Sequence, residues 1–317
     1  MNMLLTIQHN GNVFSPPVKD GVQIEWDRSG SPGKLTFTTV KTGDDMAFQE
    51  GDPVSFYYDN KPIFLGYVFT KKRDKEHHIE VVCYDQIRYL KNKYTYVFEN
   101  KTATEIIKAL CADFGLQTGD MDNTSYIIPA IAVENKSAMD IMLGALDETT
   151  LNTGNMFVLY DDFGKLQVKD CANMVSETLI MEDTAENFDY SSSIDDETYN
   201  DIVLYYKDKK KTIQLFTASN QDSINKWGRL RYFEEVDTPT VGQSKADNLL
   251  KLYNRKTRSL KVTDAFGDIS VRGGTLIPVK LDLGDIKTSN YMLVEKVTHK
   301  FENDHYSMDL TLEGAWE

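Results

Sequence analysis

Few side chains in this sequence are grouped as reaction chemistry requires. The densest carboxylates are Asp161-Asp162 and Asp195-Asp196-Glu197. A glycosidase needs two carboxyl groups at a set separation, one with a raised pKa. Asp161-Asp162 instead lies in Tyr160-Asp161-Asp162-Phe163-Gly164, which has the composition of a hairpin tip, where adjacent Asp residues are wet and structural. Asp195-Asp196-Glu197 has the character of a solvated surface run. The histidines are His9, His77, His78, His299 and His305, with no HExxH or HxH spacing to hold zinc. His77-His78 adjoins a charged turn, and His299 and His305 flank the last turn, so all four are expected at the surface. Asp44-Asp45 and Asp120-Met121-Asp122-Asn123 suggest calcium, but the second lacks the glycine and distal glutamate of an EF-hand loop and is expected to be a plain loop. No GxSxG elbow, GxxxxGK loop or GxGxxG turn occurs, and Gly273-Gly274 alone makes a turn. No catalytic, cofactor-binding or metal-ligating residue is therefore assigned; the expectation is a protein that is not an enzyme and carries no cofactor.

Composition narrows the classes further. The chain has 317 residues, 41% of them hydrophobic, enough for about two domains and a sizeable core. The 17 Tyr and 15 Phe against 3 Trp favour strands. A net charge of −14 lacks the positive excess that phosphate binding needs, so no specific nucleic-acid binding is expected, although an acidic wall would let DNA slide past without sticking. Cys83, Cys111 and Cys171 are too few and too far apart for a disulfide framework or a zinc pair; Cys83 in an apolar strand and Cys111 on an apolar helix face are expected to be buried thiols, of a chain folded in a reducing compartment. The N-terminus has no signal-peptide pattern, and no apolar run approaches the roughly 20 residues of a membrane helix. The protein is expected in the cytosol, leaving it by lysis or within a particle.

Period-two alternation dominates residues 1–95: Leu5 and Ile7, then Val22, Ile24 and Trp26, then Leu35 and Phe37. Asp59-Asn60-Lys61-Pro62 turns one hairpin, and the region is expected to form a small antiparallel barrel or sandwich. Residues 96–180 change character. Thr102-Ala103-Thr104-Glu105 is a capping box ahead of the apolar stripe Ile106, Ile107, Leu110, Cys111 and Phe114, with Gly115 suited to the stop. A second helix is expected from Ser137 to about Asn152, followed by a hairpin over 156–169. Residues 181–199 look like a solvated connection. Beyond them strands resume, with a loop expected over Asn220–Trp227, a helix over Gln243–Asn254 and a strand over Asp268–Val271, and the chain closes on a hairpin turning at Asn303-Asp304-His305. The fold class is α+β, mostly β: two tube-like antiparallel β-barrel domains, at 1–95 and 181–317, around a small α/β domain at 96–180.

Several short motifs follow one another in order: Glu50-Gly51-Asp52-Pro53-Val54, Phe64-Leu65-Gly66-Tyr67-Val68-Phe69, Tyr84-Asp85-Gln86-Ile87-Arg88-Tyr89-Leu90-Lys91-Asn92, Asn100-Lys101-Thr102-Ala103-Thr104-Glu105-Ile106-Ile107 and Tyr160-Asp161-Asp162-Phe163-Gly164-Lys165-Leu166. Together they resemble XkdQ-type proteins of the late control D group of phage tail proteins. The resemblance is densest over 50–170. It implies a structural baseplate hub of a contractile phage tail or phage-tail-like bacteriocin. In that group two tube-like domains per subunit lie side by side, and a homotrimeric ring of six such domains adapts the sixfold tail tube to the threefold central spike. The implied partners are the tail tube protein, the central spike protein, tape measure and LysM-type tail proteins and other baseplate proteins. The implied location is a virion or tailocin baseplate, assembled in the bacterial cytoplasm and released by lysis. Some relatives carry a fused lysozyme or LysM module, and no such segment stands out here. Two other readings remain open: a tail-associated peptidoglycan hydrolase using Asp161 or Asp162, and a carbohydrate-binding β module with Trp26, Trp227 or Trp316 as stacking platforms, although a strand Trp more often belongs to a core.

Overall fold

In the computed structural model the described residues are 2–40, 47–184, 186–195, 197–208, 211–236, 238–282, 287–302 and 305–314. Asp44-Asp45, Asp196, Trp316 and the Asn303-Asp304 turn lie outside them. The fold is mostly β, as expected, but the two β regions are not separate in space. The strand Val18–Asp27 pairs antiparallel with Lys287–Glu302, so strands from the two ends of the sequence form one sheet. From that seam the sheet runs one way through Lys34–Val40, His78–Tyr84, Lys61–Arg73, Pro53–Tyr58 and Met3–His9 to Asn12–Phe14. The other way it runs through His305–Glu313 and Thr257–Phe266 to Asn187–Ser193. Among the described residues this order is open: no ring of strand pairs closes a barrel. One hydrophobic core spans the seam, with Ile24, Phe37 and Phe56 from one side and Val297, Phe301 and Leu310 from the other. Alternation explains it, because along each strand every second side chain faces that core.

Lys287–Glu302 is the busiest strand. His305–Glu313 covers one of its edges for most of its length. Its other edge is shared, Leu276–Asp282 pairing with the first half and Val18–Asp27 with the second.

The α/β unit forms as its local signals predict. Helix α1 (Ala103–Asp113) starts at Thr102, whose side chain accepts from the Glu105 N–H while Glu105 reaches back to the Thr102 N–H. Helix α2 (Ala138–Thr153) repeats the device with Ser137 and Asp140 and ends at Gly154, which is left-handed at φ 80°. Both helices pack over a sheet of Phe157–Asp161, Leu166–Asp170 and Thr118–Met121. A long ribbon, Lys93–Thr102 with Ile127–Ser137, flanks them.

Three elements depart from the sequence reading. Residues 187–193 form an edge strand on Thr257–Phe266 rather than a connection; its polar side chains are mostly exposed, and backbone pairing holds it. Asn220–Trp227 is not a loop: the Asn220 side chain accepts from the Ser223 N–H and starts the seven-residue helix α3 (Gln221–Trp227). Asp268–Val271 is a turn held by Asp268, not a strand. Helix α4 (Gly242–Tyr253) lies where expected and packs on a small sheet of Ile213–Ser219, Asp201–Lys207 and Arg231–Glu235 with a core of its own. No helix of the described residues is long and apolar enough to cross a membrane.

Candidate functional site

Where the large sheet meets the α/β unit, the structure gathers three charged residues, Asp85, Asp161 and Arg272, from distant parts of the sequence. Asp85 ends the strand His78–Tyr84 and caps the 3-10 turn Gln86–Lys91, accepting from the Ile87 N–H at 3.0 Å. Its second oxygen accepts from the Gly33 N–H at 2.8 Å, and its own N–H donates to the Gly33 carbonyl at 3.0 Å. Gly33 can be nothing larger: a Cβ there would stand 2.5 Å from the Asp85 carboxylate and 3.0 Å from the Trp26 ring. Beside it, Gln86 Nε2 donates to Asp161 Oδ2 at 2.6 Å. Asp161 Oδ1 accepts from the Gly164 N–H at 2.8 Å, which closes the hairpin. The tip then docks onto the large sheet. The Phe163 ring lies 5.4 Å from that of Tyr57, and a Cβ on Gly164, which is left-handed at φ 85°, would meet Leu65 at 2.6 Å.

Arg272 closes the cluster. Its Nη1 donates to the Asp161 carbonyl at 3.0 Å, and its guanidinium lies 4.3 Å from the Tyr160 ring centroid and 4.6 Å from that of Trp26. A cation between two aromatic faces is held by their quadrupoles while the carboxylates balance its charge. Burial and the neighbouring Asp161 carboxylate push the Asp85 pKa well above the usual carboxylate range, against the two backbone N–H groups and Arg272, which pull it down. Asp161 is raised too, mainly by burial, with the Gly164 N–H, Gln86 and Arg272 opposing.

Asp161 is thus a buried group of an inter-unit joint, not the wet turn residue that the sequence suggests. Asp162 is exposed and accepts from Gln167 Nε2 at 2.6 Å, so the two carboxylates do not share a cleft. Asp195 and Glu197 are exposed, as expected. Asp122 is engaged by the Asp170 N–H at 2.9 Å and Lys169 at 3.5 Å, and Asn123 closes its own turn on Ser125.

His299 is a second correction. It is fully buried, not on the surface. Its Nε2 donates to the Val271 carbonyl at 2.9 Å, so Nδ1 is left to accept from Tyr306 Oη at 2.9 Å, and the ring is neutral. Burial pushes its pKa down to about 4. Trp26 meets it edge-on at 5.1 Å and is itself buried, so Trp26 is core and not a platform for sugar; Trp227 is half-buried at the end of α3. His305 is exposed, 3.5 Å from Asp264. His77 is exposed, while the half-buried His78 lies with Asp74 and Glu76 so that their ligand atoms fall within 4.8 Å of one another. Asp74 there accepts from the N–H groups of Glu76 and His78, the bonding of a tight turn. His9 bonds Asp52 at 2.8 Å, tying the first strand to the Glu50-Gly51-Asp52 turn. Cys83 and Cys111 are buried free thiols, as expected, Cys171 is buried and free as well, and burial pushes the pKa of Cys111 up to about 12.

Asp85 stood in the sequence only as part of the motif Tyr84–Asn92, with no role attached, and Arg272 was not singled out. Asp85 carries a weak local signal, a capping residue directly after an apolar strand; Arg272 carries none, because what makes it matter is contact across the fold.

Comparisons with known proteins agree with this architecture. A family model described as YQBQ-like matches residues 22–313. The chain is 32% identical over 307 residues to the phage-like element PBSX protein XkdQ of Bacillus subtilis, covering 92% of this chain and 91% of that protein. Among solved structures, the 43 kDa tail protein of prophage MuSo2 from Shewanella oneidensis superposes with a TM-score of 0.71 at 12% identity, over 98% of each chain. The Escherichia coli c3393 protein, described as a type VI secretion component structurally similar to the T4 tail proteins gp27 and gp5, superposes with a TM-score of 0.60 at 12% identity, over 99% of this chain and 77% of that one. At such identities the superpositions speak to fold alone. With most of its length matched by the family model and by a relative at this identity, the chain belongs to the YqbQ-like family.

Proposed function

We propose that the protein is a structural component of a phage-type tail: a baseplate hub whose three copies form a ring between the sixfold tail tube and the threefold central spike. The observation that carries this reading is the seam between Val18–Asp27 and Lys287–Glu302. It joins strands of the two β regions, 1–95 and the sheet-forming part of 181–317, in one continuous sheet, which supports a side-by-side pair. Two tube-like units per subunit, three times over, give the six that match a sixfold tube. The α/β unit, 96–180, is bolted to this pair by the Asp85–Asp161–Arg272 joint, and its role is to hold shape. The full-length resemblance in fold to prophage tail proteins supports the same reading. The partners are then the tube, the spike, the tape measure and LysM-type tail proteins, and the particle is assembled in the cytoplasm and freed by lysis.

The test is the mass of the purified 36.2 kDa chain by light scattering over a concentration series, alone and with its spike protein. A trimer in either condition is the expected result. A monomer at every concentration, with the spike present, overturns the reading.

A further inference from the structure

The small sheet beneath α4 ends in two open edges that complement each other. Ile213–Ser219 lies on one side of Asp201–Lys207 and Arg231–Glu235 on the other, and neither has a further strand partner among the described residues. Their outward backbone groups can be worked out. The Asp208 N–H donates to the Thr212 carbonyl and the Asn220 N–H to the Asn200 carbonyl, which makes those the bonded pairs of the antiparallel ladder. Counting by twos, Ile213, Leu215, Thr217 and Ser219 turn their N–H and C=O groups to the open side, where Gln243 Nε2 reaches the Thr217 carbonyl at 3.1 Å. On the far strand the Asp201 N–H donates to the Leu230 carbonyl and the Val236 N–H to the Tyr205 carbonyl, so Arg231, Phe233 and Glu235 turn outward.

These residues also share the face away from α4. Ile213 and Leu215 on one edge and Phe233 on the other are 59%, 58% and 63% exposed there, apolar side chains on edge strands that carry no proline. Charge then distinguishes the edges. One carries Arg231, whose charge is met by Asp201 on the central strand, and Glu235, which accepts from Tyr205 Oη at 2.9 Å; the exposed Lys207 and Lys211 stand at the turn that feeds the other.

We infer that these two edges are a head-to-tail docking surface through which one copy of this chain joins the next. This rests on the ring reading above. The outer strands run in opposite directions, so a second copy turned about an axis along the strands, which preserves their direction, sets Arg231–Glu235 antiparallel to its Ile213–Ser219. Phe233 then lies opposite Leu215 of the neighbour, Glu235 opposite Ile213 with Lys211 one step beyond, and the outward N–H and C=O groups exchange bonds. The contact is heterologous, as a closed ring requires, because each subunit gives one edge and receives the other.

The test uses Leu215→Cys and Phe233→Cys in the full-length chain, whose three native thiols are buried. Mixed and oxidised, the two variants should give a cross-linked dimer that neither gives alone. Within one chain the two positions are separated by a whole strand and cannot bridge. In parallel, Glu235→Lys should weaken self-association about tenfold, and adding Lys211→Glu should restore it. Cross-linking equally in each variant alone, or a failed charge swap in a folded protein, overturns the inference. An oligomer by light scattering with no cross-link in the mixture overturns the edge contact while leaving the hub; a monomer throughout, with the spike present, overturns both.

Discussion

At the scale of residues, the polar groups of the interior decide how this protein responds to substitution and pH. Arg272 lies between two aromatic rings and bonds the Asp161 backbone, and its charge offsets that of Asp85 and Asp161. Removing one partner of a buried charge set leaves the rest uncompensated, so Arg272→Met should lower unfolding stability by about 3 kcal/mol in denaturant titrations. A change within 0.5 kcal/mol would show that the joint carries no strain between units. His299 sets a pH window. Burial lowers its pKa from the ordinary 6.5 to about 4 in the folded state, so the unfolded chain binds the extra proton between those values. Stability from this group is therefore complete above pH 6.5 and drains away as pH falls toward 4. Asp85 and Asp161 act with the opposite sign: their raised pKa values mean that stability declines as pH climbs above the ordinary carboxylate value. His299→Gln, which keeps one donor and one acceptor, should remove the first effect and expose the second. The stability gap between wild type and variant should widen by about 3 kcal/mol from pH 4 to 6.5, measured by denaturation at several pH values. A constant gap would mean that the imidazole does not titrate differently in the fold.

Elements show why some structure was legible in the sequence and some was not. The two helices of the α/β unit announce themselves, because a capping box is a local pattern spanning four residues. Thr102→Ala should cost about 1 kcal/mol, read by thermal or chemical unfolding, and should fray the first turn of α1 as seen by amide exchange. The helix α3 was hidden by its shortness, since seven residues hold too few apolar positions for a stripe to emerge. The strand Asn187–Ser193 was hidden by its setting: at a sheet edge, exposed on both faces, it has no need of alternation. His299 was legible after all. It sits two residues from Val297 and two from Phe301, both fully buried, so strand parity alone places it in the core. The expectation of a surface site weighed its nearness to a turn above its phase. The joint, by contrast, could not be foreseen: Gly33, Asp85, Asp161 and Arg272 are separated by tens to hundreds of residues, and no spacing rule links them.

At the scale of the whole molecule, composition and alternation specified a mostly β chain with an α/β centre, and the order of short motifs specified the family. What they could not specify was which strand meets which across the α/β unit. The seam has its own consequence for how the chain is made. Arg28 bonds Glu295 across a separation of 267 residues, and Val18–Asp27, paired along one edge with Lys34–Val40, finds the partner for its other edge in Lys287–Glu302. A nascent chain leaving the ribosome holds Val18–Asp27 as an open edge for nearly the whole of synthesis, while the capped helices of the centre are free to form early. Such a high contact order makes completion of the large sheet the slow, late step of folding. It also gives synthesis a built-in proofreading rule: a prematurely terminated chain lacks the strand that completes its core, so only finished copies hold the complete sheet.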